Sequence, residues 1–364
     1  MKVLLLGEYS GYFFNLKKGL QEAGVDCTLA ASGDGWKKIS GADIELFGEQ
    51  RNNKLQVLFS SFIHPIMHLR KLFGFDVVYM VGPGVFPRQI NMFMIKAIKR
   101  HSKSMYISVA GDCNSLYQSY VNGELEYYTY TDNPEACRKH DSNSKTGMAL
   151  NRQEDEIYRL VDGIIPIMYE YAVGLKKYPN KCETIPLPFD ASKIEYCENK
   201  IDGKIRIMHG VIKEKYKGTD IILQALKIIE QRHPNEVEII VDGKMPLNEY
   251  LEKLKGINIL VDQCKEHCYG LNALYAMAEG RIVLGGASEN SLKEFGLSSC
   301  PVIHIEPNVD MIVDRLETLI TQKHLFPKLG KESREYVEKM HNHLTIAQKY
   351  ISLWEKNLIE KEIG

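Results

Sequence analysis

The stretch His209-Gly-Val-Ile-Lys213-Glu-Lys215-Tyr-Lys217-Gly218-Thr219 carries three lysines in a turn that leads into a helically spaced apolar segment. A second turn, Asp262 to Gly270, separates the apolar run Ile257 to Val261 from Leu271, Ala273, Leu274, Ala276, Met277 and Ala278. Free backbone amides at a helix start attract anions, and the small residues behind Gly270 let that helix pack closely. A helix terminus contributes only about 0.3 to 2 kcal/mol to an anion, whereas enzymes remove about 8 to 23 kcal/mol of barrier. Fixed cations such as Lys213, Lys215 and Lys217 are therefore needed beside it. The chemistry suggested is the holding of a phosphate whose charge grows as a bond breaks.

Those turns require strands and helices to position them. Val3 to Leu6, Cys27 to Ala30, Asp76 to Val81, Met105 to Val109, Gly163 to Met168 and Glu183 to Leu187 read as strands of one sheet, with helices at Phe14 to Ala23, Pro87 to Arg100 and Tyr169 to Lys177. Pro186-Leu-Pro188 interrupts the pattern. It restarts with strands at Ile205 to His209, Val237 to Val241, Ile257 to Val261, Ile282 to Leu284 and Val302 to Ile305, and helices at Thr219 to Arg232, Leu247 to Leu254 and Leu271 to Glu279. Alternation of this kind predicts an α/β fold of two doubly wound, Rossmann-like domains, residues 1–187 and 188–343, followed by an amphipathic terminal helix, 344–364, carrying Ile346, Tyr350, Ile351 and Trp354.

In open parallel sheets ligands gather at the carboxyl ends of the strands. That rule selects Gly7-Glu8-Tyr9-Ser10-Gly11 in the first half, His209-Gly210 to Gly218 and Asp262 to Gly270 in the second. The first loop lacks the G-x-G-x-x-G dinucleotide fingerprint, which counts against an oxidoreductase. Asp112 ends a first-half strand, and Glu170 opens a helix on the same edge. The segment 113–152 is rich in tyrosine and short of periodicity.

Composition limits the alternatives. The 364 residues have a formal net charge of -1, 44% apolar and 26% charged residues, as in soluble globular proteins and unlike chains built to bind nucleic acid. No run spans a bilayer and no signal peptide opens the chain, so the expected location is cytoplasmic. Eight dispersed cysteines suit a reducing compartment. Cys264, His267 and Cys268 lack a second ligand pair, and no metal is expected.

Tyr269-Gly270-Leu271 with Ala276-Met277-Ala278-Glu279-Gly280, and Lys213 or Lys215 followed by Lys217-Gly218-Thr219, resemble the donor-binding motifs of GT-B glycosyltransferases, specifically the retaining family four. The opening Lys2 to Gly7, the turn Gly33-Asp-Gly35 and the run Pro166 to Ala172 look like a bacterial subgroup that builds surface polysaccharides, including capsule and lipopolysaccharide. This resemblance implies a cleft between the domains and a terminal helix that returns to the first. It also implies transfer of a sugar from a nucleoside-diphosphate sugar to a glycan or lipid-linked acceptor, with retention and without a cofactor.

On that alignment His267 stands where the family has its first glutamate, Glu266 lies one residue early, and Tyr275 replaces the second. The resemblance assigns donor contacts to Gly7, Gly11, His209, Gly210, Lys213, Lys215, Lys217, Gly218, Asp262, Tyr269, Gly270, Leu271, Asn272 and Tyr275. Asp112, Glu266, His267 and Lys217 become catalytic candidates, while Tyr9, Ser10 and Glu170 line the acceptor side. A nucleotide-sugar epimerase and a non-catalytic nucleotide-sugar binder remain alternatives. Arg70-Lys71, Arg88, Lys96, Lys99, Arg100 and Lys103, among apolar neighbours, raise the further expectation of peripheral contact with the inner face of a membrane.

Overall fold

The computed structural model describes residues 1–32, 41–47, 57–109, 114–127, 144–211, 217–243 and 245–363. Asp112, Lys213, Lys215 and the Gly33-Asp-Gly35 turn lie outside them.

Two wholly parallel sheets organise the chain. The first comprises β1 (Lys2–Leu6), β2 (Asp26–Ala31), β3 (Ile44–Glu45), β4 (Phe75–Met80), β5 (Ser102–Val109) and β6 (Gly163–Pro166) in the order β3-β2-β1-β4-β5-β6. Its central strands are covered on both faces, so they are continuous apolar runs: Val3, Leu4, Leu5 and Leu6 have no exposed surface. The second comprises β7 (Ile205–Gly210), β8 (Val237–Asp242), β9 (Ile259–Val261), β10 (Ile282–Gly285) and β11 (Ile303–His304) in the order β11-β10-β9-β7-β8. The strand order reverses between β1 and β4 in one sheet and between β7 and β9 in the other. At such switch points neighbouring loops diverge and leave a crevice.

One expected strand is absent, and the segment 113–152, short of periodicity, holds the helix Asn114–Val121 and the first half of the helix Lys145–Leu160. Glu183 to Leu187 is not a strand: Pro186 and Pro188 offer no amide, and the segment makes only separate bonds beside β6, Cys182 N to Ile164 O and Ile185 N to Pro166 O. Conversely, β3 is only two residues long, too short for any periodicity to reveal.

The chain passes between the two sheets' layers at one place. Phe189 N donates to His341 O at 2.6 Å, His341 Nδ1 lies 2.8 Å from Leu187 O, and Phe189 bridges Asn342 in parallel. Beyond this crossing the helix His343–Ile363 packs on the helix Tyr12–Glu22. Gly19 makes the approach possible, since a Cβ there would stand 2.2 Å from His343 O. The hydroxyls of Tyr12, Tyr79 and Tyr350 form a buried hydrogen-bonded group, with Trp354 edge-on to Tyr79. No helix among the described residues is long and apolar enough to cross a membrane.

Candidate functional site

The second sheet's switch point brings together the ends of β7 and β9. His209 is wholly buried there, its Nδ1 2.7 Å from Val261 O and its Nε2 3.0 Å from Thr219 Oγ1. Burial drives its imidazole down to about pKa 4, so it is a neutral strut with both nitrogens engaged. His209 thereby presents nothing to a ligand.

Gly218 then turns the chain into the helix Thr219–Arg232 with φ of 72°, and a Cβ would meet Cys264 Sγ at 2.4 Å. This close approach sets Lys217 beside the turn that follows β9. Lys217 Nζ lies 2.6 Å from Asp262 Oδ1, and the same oxygen accepts from Asn272 Nδ2 at 3.0 Å. The two side chains of the ion pair retain only 9% and 1% of their exposure. Gly210 closes the group, its missing Cβ position 3.9 Å from Asn272 Nδ2.

Gly270 is the N-cap of the helix Leu271–Ala278, with no side-chain cap and no first-turn acid. Space beside Gly270 is open: apart from its chain neighbours, none of the described residues comes within 4 Å of a Cβ position there. An ammonium and an amide side chain thus converge on one carboxylate, and that amide belongs to the first turn of an uncapped helix, an arrangement suited to an anion that competes with Asp262 for Lys217.

A second group lies where the two halves of the chain meet. Glu170, at the head of the helix Tyr169–Gly174, accepts the Cys268 backbone N–H at 2.6 Å. His267 beside it is 4% exposed, stacks on Tyr127 at 4.2 Å and meets Tyr169 edge-on at 5.6 Å. Both His267 nitrogens, Tyr127 Oη and Glu170 Oε2 are buried without a hydrogen-bond partner among the described residues. Burial holds His267 below its ordinary pKa, against the opposing attraction of Glu170. Tyr127 is missing from the sequence-based set; 140 positions from His267, it left only a tyrosine-rich segment as its signal.

The remaining candidates are dispersed. Glu266 accepts from the Gln263 side chain. Tyr269 is turned away from the helix start, its hydroxyl bonded to Tyr336 and His341, so only its backbone borders the turn. Tyr275 packs edge-on against Phe189 and reaches the first domain, its hydroxyl 3.8 Å from the Cβ position of Gly11. Burial raises that phenol to about pKa 12.

The first-domain loop is filled by its own carboxylate. Glu8 Oε1 accepts from the amides of Tyr9 and Gly11 at 2.6 and 2.8 Å, and Oε2 from Phe14 N at 2.8 Å. Gly7 and Gly11 have φ near 91°, and Ser10 is the one non-glycine with positive φ among the described residues, at 56°. Glu8 thus neutralises the helix start that an anion would otherwise take. Among the described residues no cluster of three or more His, Cys, Asp or Glu side chains is arranged to hold a metal ion.

No family model matches this sequence, and no curated protein matches it significantly. Solved structures do. A sucrose-phosphate synthase from Thermosynechococcus elongatus aligns with a TM-score of 0.64 at 12% identity, covering 98% of this chain and 99% of that one. HepE of Anabaena in complex with UDP and glucose aligns at 0.63 and 10% identity, covering 98% and 100%. WaaG, a glycosyltransferase involved in lipopolysaccharide biosynthesis, aligns at 0.57 and 11% identity, covering 97% and 99%. At these identities the likeness speaks for architecture, and it extends over both sheets and the terminal helix. The chain has the GT-B fold.

Proposed function

We propose that this chain is a glycosyltransferase that moves a sugar from a nucleoside-diphosphate sugar to a hydroxyl of a glycan or lipid-linked acceptor, with retention, in the building of surface polysaccharide. The observation that carries this reading is Lys217, held by Asp262 beside the uncapped helix start at Gly270 and Leu271. A departing diphosphate draws Lys217 from Asp262 and accepts the free amides as its charge grows. Asn272, released with it, becomes a further donor.

The sugar end of the donor fits the second group. His267, Tyr127 and Glu170 offer buried polar atoms that lack partners among the described residues, and sugar hydroxyls supply both donors and acceptors. No metal enters this scheme. Similar folds crystallised with UDP and with UDP-glucose support the donor class. Domains of 1–187 and 188–343, with 344–364 returning to the first, are the division this mechanism uses. Cytoplasmic location is part of the same reading.

The test is thermal unfolding with a panel of nucleoside-diphosphate sugars. Ligand at one hundred times its dissociation constant stabilises by about 2.7 kcal/mol. Stabilisation by one donor, followed by its acceptor-dependent consumption, supports the proposal. Absence of any shift at millimolar donor overturns it, and donor conversion without acceptor points to an epimerase.

A further inference from the structure

The chain between β3 and β4 includes a π turn (Phe59–Ile63), one turn of α-helix (His64–His68) and a 3-10 turn (Leu69–Leu72). Of the three, the α turn has the register that brings side chains four positions apart onto one face, and both of its ends are histidines. Pro65 follows His64 in the first turn and fixes the backbone there. Ile66 and Met67, between the histidines, are 44% and 67% exposed, so the turn lies at the surface.

The two imidazoles meet through their far nitrogens. His64 Nε2 and His68 Nε2 stand 3.2 Å apart, with ring centroids 4.3 Å apart and planes tilted by 63°. Behind the first ring, His64 Nδ1 lies 3.2 Å from Leu46 O. A carbonyl only accepts, so Nδ1 carries the proton of that ring and Nε2 keeps its lone pair, which is the neutral form that binds metals. A backbone carbonyl in this position also orients the ligating ring in metal sites.

The spacing of the nitrogens suits a shared ion. Two nitrogens at about 2.0 to 2.1 Å from one tetrahedral zinc are about 3.3 Å apart. Without metal, the His68 Nε2–H donates across this gap to His64 Nε2. An ion that takes both lone pairs moves that proton to His68 Nδ1, which has no hydrogen-bond partner among the described residues, so no donor opposes the shift.

We propose that His64 and His68 chelate a late first-row divalent ion, such as zinc, nickel or copper, through their Nε2 atoms, with water completing the coordination. Imidazole ligands favour these ions over magnesium and calcium, which take oxygen ligands. Among the described residues no third His, Cys, Asp or Glu side chain joins the pair, and the Lys71 charge acting on His68 opposes any cation held by charge alone. The nitrogen lone pairs therefore carry the binding. A bridging ion pins the α turn between two turns of different register. This site belongs to the first sheet, whereas Lys217 and Gly270 belong to the second half, and it does not rest on the sugar-transfer reading.

The experiment is calorimetric titration of the full chain with zinc chloride in buffer holding excess magnesium, beside the variants His64→Gln, His68→Gln and, as a control, the exposed His324→Gln. A zinc-binding step is expected in the parent and the control, and each of the other two variants should weaken it about tenfold or more. Unchanged melting curves without zinc verify that the variants fold. Hydrogen exchange read by mass spectrometry needs no variant: zinc should slow exchange in peptides covering 57–72 of the parent, and magnesium should not.

Zinc affinity that survives both single substitutions unchanged overturns the proposal, as does zinc binding that leaves exchange across 57–72 as it was. Absence of any binding heat at millimolar zinc overturns it as well.

Discussion

The Lys217 ammonium lies 2.6 Å from the Asp262 carboxylate, and both groups are nearly closed off from water. Removing one member of a buried pair strands the other, at a cost of about 3 to 5 kcal/mol, whereas removing both costs far less. Lys217→Ala should therefore unfold at lower denaturant than the parent, and Lys217→Ala with Asp262→Ala should recover most of the loss. If Lys217 serves the departing diphosphate, the double variant regains stability and leaves turnover down by orders of magnitude. Parallel recovery of both would assign Lys217 to structure alone.

Glu170 joins the two halves of the chain through the Cys268 amide. Glu170→Ala should speed hydrogen exchange at that amide, while Glu170→Gln, which keeps an acceptor, should leave it protected. Mass spectrometry on peptides covering 262–270 reads the difference, and equal exchange in both variants contradicts the bond.

His209 and His341 are both driven down to about pKa 4 by burial. An unfolded chain takes up these protons near 6.5, so the folded state binds fewer between 6.5 and 4. Their contribution to stability is complete above 6.5 and is lost as the pH falls toward 4. Carbon-13 histidine resonances should titrate near 4 for these two residues, and midpoints above 6 would refute the buried neutral form.

Glu279 moves the other way, its carboxyl raised by burial to about 7 although Arg281 pulls it down. The folded chain then holds a proton that the unfolded chain releases near 4.5, and stability declines as the pH rises from 4.5 through 7. Glu279→Gln, a neutral mimic, should raise the thermal midpoint by roughly 2 °C or more at pH 8 and change little at pH 5. An equal effect at both pH values would show that ionisation is not the cause.

Strands such as β1, β4 and β9 were legible because a strand buried on both faces leaves a contiguous apolar run. The turn at Gly218 was legible because its left-handed backbone, with φ of 72°, favours glycine. What the sequence concealed was side-chain direction. Tyr269 sits in a donor-like motif yet points to Tyr336 and His341, and Glu8 satisfies the amides of a glycine-bounded loop. Tyr127 on His267 is a pairing across 140 positions, which no local pattern encodes.

The crossing at Leu187 to Phe189 and His341 to Asn342 has a mechanical meaning. Because the outgoing and returning strands of chain are stitched to each other, they form a single spine, and Tyr350 with Trp354 binds the tail to one cover of the book. A gape between the halves that keeps this spine intact would have to break the bond from the Cys268 amide to Glu170, so that distance is the quantity that reports how wide the pages stand.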